Sequence, residues 1–67
     1  MNQPEAAIAA LLKAESVAPN DPEPPYARAT ILYGLRRISE AVEAAQRALE
    51  IQPGYTPART FLQELGL

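Results

Sequence analysis

Shifted against itself by 34 residues, this chain superposes Ala7 on Ala41, Ala10 on Ala44, Ala14 on Ala48 and Pro19 on Pro53. A fixed period of that length marks a structural unit that is repeated and stacked. Alanine matches alone say little in an alanine-rich chain, so the other pairs decide. A shift of 35 also pairs three alanines, but it sets Ile8 against Glu43 and Val17 against Gln52. The shift of 34 sets Ile8 on Val42, Lys13 on Arg47 and Val17 on Ile51, matching apolar with apolar and basic with basic.

The clearest unit within the period is Ser39 to Pro53. Ala41, Val42, Ala45, Ala48 and Leu49 recur at steps of three and four and form one stripe of a helix, with Glu40, Glu43, Arg47 and Glu50 outside it. Ser39 is the residue type that caps a helix start, and Pro53 cannot continue one. The same spacing predicts a helix before Pro19, with the stripe Ala7, Ile8, Leu11, Leu12 and Ala14, opened by Asn2 or Gln3 with Pro4 in its first turn. Lys13 suits the negative pole at its end. Asn20 to Pro25 carries three prolines, which remove three backbone donors and predict an extended turn of fixed geometry.

A second helix is expected from about Pro24 through Tyr26 to about Arg36. Its apolar residues fall on two faces, Ala29, Leu32 and Leu35 with Ile31, and Tyr26, Thr30 and Tyr33. A helix apolar over that much of its surface packs between two neighbours. Gly34 marks either an early helix end or a close approach to another backbone. After a short break at Arg37 and Ile38 comes the Ser39 helix. A final helix, Pro57 to Leu65, is expected to be capped by Thr56, to present Phe61, Leu62 and Leu65, and to end at Gly66. No strand pattern appears, so the expected fold class is all-α, with about four helices in antiparallel helix-turn-helix units.

Composition narrows the function. Six basic residues against eight acidic ones leave a net charge of −2, with the arginines scattered, which argues against nucleic acid. With no Cys and no His there are no disulfides, thiol chemistry, zinc-thiolate sites or neutral-pH proton carriers. No apolar run approaches the roughly 20 residues of a membrane span, and no signal-peptide layout is present. A soluble protein without membrane contact is expected, its compartment left open with the cytoplasm slightly favoured. Glu40, Glu43 and Glu50 read as a wet helix face with no buried partner to shift a pKa, so neither an enzyme nor a cofactor is expected. Glu43 and Arg47, four apart, are expected to pair.

A helix-turn-helix period of this length resembles the tetratricopeptide repeat family, over nearly the whole chain. With Pro53 as the family's late proline, a complete unit runs over 22–55. Ala29 and Leu32 then take the small and large positions of its first helix, and Ile38 the position before the second. Ala41, Ala48 and Pro53 take the small, small and proline positions of that second helix. Glu40-Ala41 and Arg47-Ala48-Leu49-Glu50-Ile51-Gln52-Pro53 carry the likeness most closely. Three residues depart: Pro25 where a large aromatic is usual, Arg28 where a leucine is usual, and Arg36 where a glycine often makes the turn. The resemblance implies a right-handed superhelical solenoid. It divides the single domain 1–67 into the second helix of a preceding repeat (4–19), the complete repeat (22–55) and a capping helix (56–67), about one and a half repeats and a cap. On this reading the chain starts in the middle of a repeat. Asp21-Pro22 and Tyr26 align with Thr56-Pro57 and Phe61 only at a shift of 35, so the last turn is one residue longer.

The resemblance also implies a binding face, because the first helix of each pair lines a concave groove that grips a partner. Tyr26, Thr30, Tyr33 and Arg37 lie on one line of that helix or just past its end and are the candidate contacts with a protein or peptide. Both tyrosines could instead fill gaps between helices. Some members hold a partner's C-terminal carboxylate with lysines and asparagines. Glu23, Tyr26, Ala27 and Thr30 stand at the corresponding positions here, so no such clamp is expected. Arg36 and Arg37 are expected to offset the helix dipole and stay solvated. The expected function is a non-enzymatic protein interaction module. The alternative is a self-assembling part of a larger helical scaffold, a homo-oligomer joined through Ile8, Leu11 and Leu12 on a first helix with an uncovered face.

Overall fold

The computed structural model describes residues 4–66, which form four helices: α1 Pro4–Val17, α2 Glu23–Gly34, α3 Ile38–Ile51 and α4 Thr56–Glu64. No strand occurs among the described residues. The expected opening of α1 by Asn2 or Gln3 lies outside them. α2 packs against α1 on one side and α3 on the other, and α3 also packs against α4. The two-sided packing read from the faces of the second helix is therefore present.

The core is made of small residues. Ala29 and Leu32 of α2 meet Ala41, Ala44 and Ala45 of α3, all buried, with Ile8, Phe61 and Leu62 packed against the cluster. Ala48 and Ala58 are buried as well. Alanine on both sides lets two helices approach closely at little side-chain entropy cost, and this explains a core with only one large aliphatic side chain buried. The α3 stripe is as expected, with Ala44 added to it.

The turns on either side of α2 differ from expectation in detail. α2 begins at Glu23, not Pro24, and Pro24 and Pro25 lie inside its first turn, where backbone N–H groups have no intrahelical partner to lose. The expected extended geometry is thus not adopted: Asn20 lies in a turn closed by the Asp21 N–H donating to the Ala18 carbonyl at 3.1 Å, and Pro22 is already right-handed helical with φ −77° and ψ −12°. Pro25, standing where a large aromatic was expected, is fully buried. α2 ends at Gly34, two residues before Arg36. A side chain added at Gly34 would meet nothing within 4 Å, so this glycine marks an early helix end and no close backbone approach.

The stop is made by Arg36, whose φ of 64° is left-handed. The Arg36 N–H donates to the Tyr33 carbonyl and the Arg37 N–H to the Leu32 carbonyl, each at 2.9 Å. This is the pattern in which a left-handed residue satisfies the last carbonyls of a helix. It also shows why a glycine suits position 36.

Ser39 and Thr56 are not caps. The helices start one residue before Ser39 and at Thr56, with Arg37 and Tyr55 as the flanking residues and no side-chain cap bond. The Ala41 N–H already donates to the Arg37 carbonyl at 3.0 Å and the Arg59 N–H to the Tyr55 carbonyl at 3.2 Å, so Ser39 and Thr56 fall within the first turn. Lys13 lies before the last turn of α1, which holds no basic residue. Gly66, with φ 83°, follows α4.

Candidate functional site

Tyr26, Thr30 and Tyr33 occupy one strip of α2, and the structure joins that strip to α4 through aromatic rings. The Tyr33 ring meets Phe61 at 5.7 Å between centroids and 80° between planes. Tyr26 meets Phe61 at 6.4 Å and 88° and Tyr55 at 5.8 Å and 75°. All three are edge-to-face contacts, the arrangement that aromatic quadrupoles prefer. Tyr26, Tyr55 and Phe61 are half-buried, whereas Tyr33 remains 47% exposed. The rings therefore lock α2 to α4 along one edge and still present surface to solvent.

Thr30 is exposed between the two tyrosines, its hydroxyl donating to the Ala27 carbonyl one turn back at 2.7 Å. That bond occupies the hydroxyl's proton and leaves its lone pairs free to accept. Arg37 stands apart from the strip. Because α2 has already ended, its guanidinium turns to Glu40 in a two-armed pair at 2.9 and 3.0 Å and to Glu5 of α1 at 3.1 Å. The hydrogen bond and charge of Glu40 lead in raising its pKa above the usual arginine value. The structure thus brings together Tyr26, Thr30 and Tyr33 and places Arg37 in an ion-pair knot between α1 and α3. Arg36 remains exposed.

Two further contributors were not singled out from the sequence. Tyr55, from the α3–α4 turn, and Phe61 complete the ring cluster. The 35-residue shift that aligns Phe61 with Tyr26 was a signal for the latter, since equivalent positions of successive first helices lie side by side. Arg28, the departure from an expected leucine, forms a fork with Glu15 of α1 at 2.8 and 3.2 Å, with side chains 18% and 17% exposed. It ties α1 to α2 with a sheltered ion pair where an apolar contact was expected. Arg47 pairs with Glu50 at 3.2 Å, and the expected Glu43–Arg47 pair is not formed. Burial leads, with Glu23, Tyr26 and Asp21 following, in raising the Tyr55 hydroxyl above the usual phenol range.

The described residues contain no enclosed cavity or deep cleft, no cluster of metal-ligating side chains, and no buried side-chain polar atom lacking a hydrogen-bond partner. No helix is long and apolar enough to cross a membrane. An open surface of half-buried rings is suited to contact with another chain rather than to enclosing a small molecule.

Antiparallel helix pairs, stacked so that one helix is shared between two neighbours, define this molecule as an all-α helical-repeat protein. The family model described as tetratricopeptide repeat matches residues 26–55, which supports assigning that segment to the tetratricopeptide repeat family. No curated protein and no solved structure gives a match. Tetratricopeptide repeats generally mediate protein–protein interactions and are generally not enzymes.

Proposed function

We propose that the chain binds an extended protein or peptide segment along the side shared by α2 and α4, with Tyr33 and Tyr26 as anchors and Thr30 as a polar contact between them. Arg37 sits at the far end and reaches a ligand only by exchanging one of its glutamates. In this reading 4–19 acts as the second helix of a preceding repeat, 22–55 as a complete repeat and 56–67 as a capping helix. The exposed Arg59, Thr60, Gln63 and Glu64 give α4 the polar outer face that suits a cap.

The observation that carries the proposal is the state of Tyr33. Its ring is placed against Phe61 yet stays 47% exposed, so it offers a ligand apolar area with a polar tip. A shallow face of this size suits micromolar affinity. The test is a random-peptide display selection on the intact chain, with selected peptides titrated against wild type and Tyr33→Ala. A tenfold or greater loss of affinity with an unchanged unfolding curve is expected. Peptides that bind both proteins equally would remove Tyr33 from the site.

Self-association through α1 is the second reading, favoured by the exposure of Leu12 at 49% and Val17 at 78%. Of the three residues first expected to join copies, Ile8 and Leu11 are half-buried, and Ile8 packs on the core, which leaves Leu12 as the exposed member. At about 100° per residue Leu12 and Val17 lie some 140° apart around the helix, so they do not form one continuous patch. Sedimentation equilibrium decides it: a strict monomer at high micromolar concentration ends this reading.

A further inference from the structure

The ring cluster has an acidic end. Asp21 and Glu23 stand at the start of α2, joined by a 3.0 Å hydrogen bond from the Glu23 N–H to Asp21 Oδ1. Glu23 precedes Tyr26 by three residues, one helical turn, and so shares its strip. Both side chains are exposed. The ion pairs of the described residues engage Glu5, Glu15, Glu40 and Glu50, and leave Asp21, Glu23, Glu43 and Glu64 without a cation; of these four, Asp21 and Glu23 are the two that act on Tyr55. Arg59, in the first turns of α4, makes no ion pair with either of them. Across the turn both carboxylates act on Tyr55, where their charges add to burial in raising the phenol pKa. At the opposite end of α2, Arg37 is outnumbered by Glu5 and Glu40.

We propose that this end of the α2–α4 surface receives a basic side chain, arginine foremost, of the bound protein segment, with the guanidinium lying on the Tyr26 and Tyr55 rings and its charge met by Glu23 and Asp21. The inference rests on the reading of that surface as the docking face and adds the chemistry of the occupant. Charge complementarity argues for it: aromatic faces carry the negative end of their quadrupole and attract cations, and the neighbouring carboxylates are uncompensated. A planar guanidinium can stack on a ring and donate to a carboxylate at once, which an ammonium does less well. An acidic segment would meet repulsion at the same place. The carboxylates also sit at the positive pole of α2, which favours their charge but neutralises neither fully.

The experiment uses the intact, isotope-labelled chain titrated with N-acetyl-arginine amide, and separately with N-acetyl-citrulline amide, which keeps the shape and loses the charge. Shifts are expected at Tyr26, Tyr55, Phe61 and Glu23 with arginine, and citrulline is expected to bind about two- to fivefold more weakly. Glu23→Gln should lower arginine affinity by a similar factor while leaving the rest of the spectrum in place, and added salt should weaken binding. Equal binding of arginine and citrulline, shifts centred on any other surface, or full affinity in Glu23→Gln overturns the proposal. Display-selected peptides that depend on Tyr33 but carry no basic residue overturn it while the docking face stands. Arginine binding at Glu23 together with peptides indifferent to Tyr33→Ala removes the docking face and leaves a cation site alone.

Discussion

Arg36 is the residue at which local chemistry and fold disagree most openly. It holds φ 64°, a conformation that an L side chain adopts at a cost and glycine adopts freely. Its side chain is exposed, so nothing evident is lost by removing it. Arg36→Gly is expected to raise stability by about 1 kcal/mol, read as a higher urea midpoint with unchanged slope. Tyr55 offers a pH test. Its folded-state phenol pKa lies above the unfolded value of 10.0, so folding favours the protonated ring. The associated stability is complete below pH 10.0 and is lost as pH rises through the folded value. Tyr55→Phe should flatten that alkaline fall, a comparison made with urea midpoints on either side of it. At this scale the sequence is only partly legible. The departures Pro25, Arg28 and Arg36 were visible as departures. That Pro25 fills a buried place, that Arg28 finds Glu15, and that Arg36 turns left-handed all depend on neighbours brought in by folding.

The elements were legible because helix periodicity survives any uncertainty about side-chain partners. The stripe of α3 and the two-sided α2 follow from spacing alone. Helix ends were legible only to within a residue or two. Ser39 and Thr56 are cap-type residues, but the carbonyls of Arg37 and Tyr55 already accept the first helical bonds, and backbone geometry outranks residue preference there. The contact between α2 and α3 rests on Ala29 against Ala41, Ala44 and Ala45. Such a seam tolerates no added volume, since Ala45 is 0% exposed. Ala45→Leu is expected to cost about 1–3 kcal/mol by forcing the two helices apart, checked by thermal unfolding followed by circular dichroism. The ring cluster was partly legible: Tyr26 and Tyr33 follow from spacing and Phe61 from its alignment with Tyr26 at a shift of 35, while Tyr55, in the turn before α4, joins them only once the chain folds.

Taken whole, the molecule has a radius of gyration of 11.2 Å and extents of 32 × 27 × 15 Å, close to the ~11 Å of a compact chain of this length. A chain this short rarely gains more than about 3–5 kcal/mol from one core, so a single seam mutation takes a large share of it. The thin dimension, with no enclosed cavity among the described residues, accords with the proposed binding on a face, and the α2–α4 side is the face where packed rings and solvent meet. The central claim is that a partner segment lies there. Chemical-shift mapping of a display-selected peptide on the labelled chain tests it most directly. The account predicts shifts concentrated on Tyr26, Thr30, Tyr33 and Phe61. Shifts gathered on the outer faces of α1 and α3, with those four residues unmoved, would contradict it.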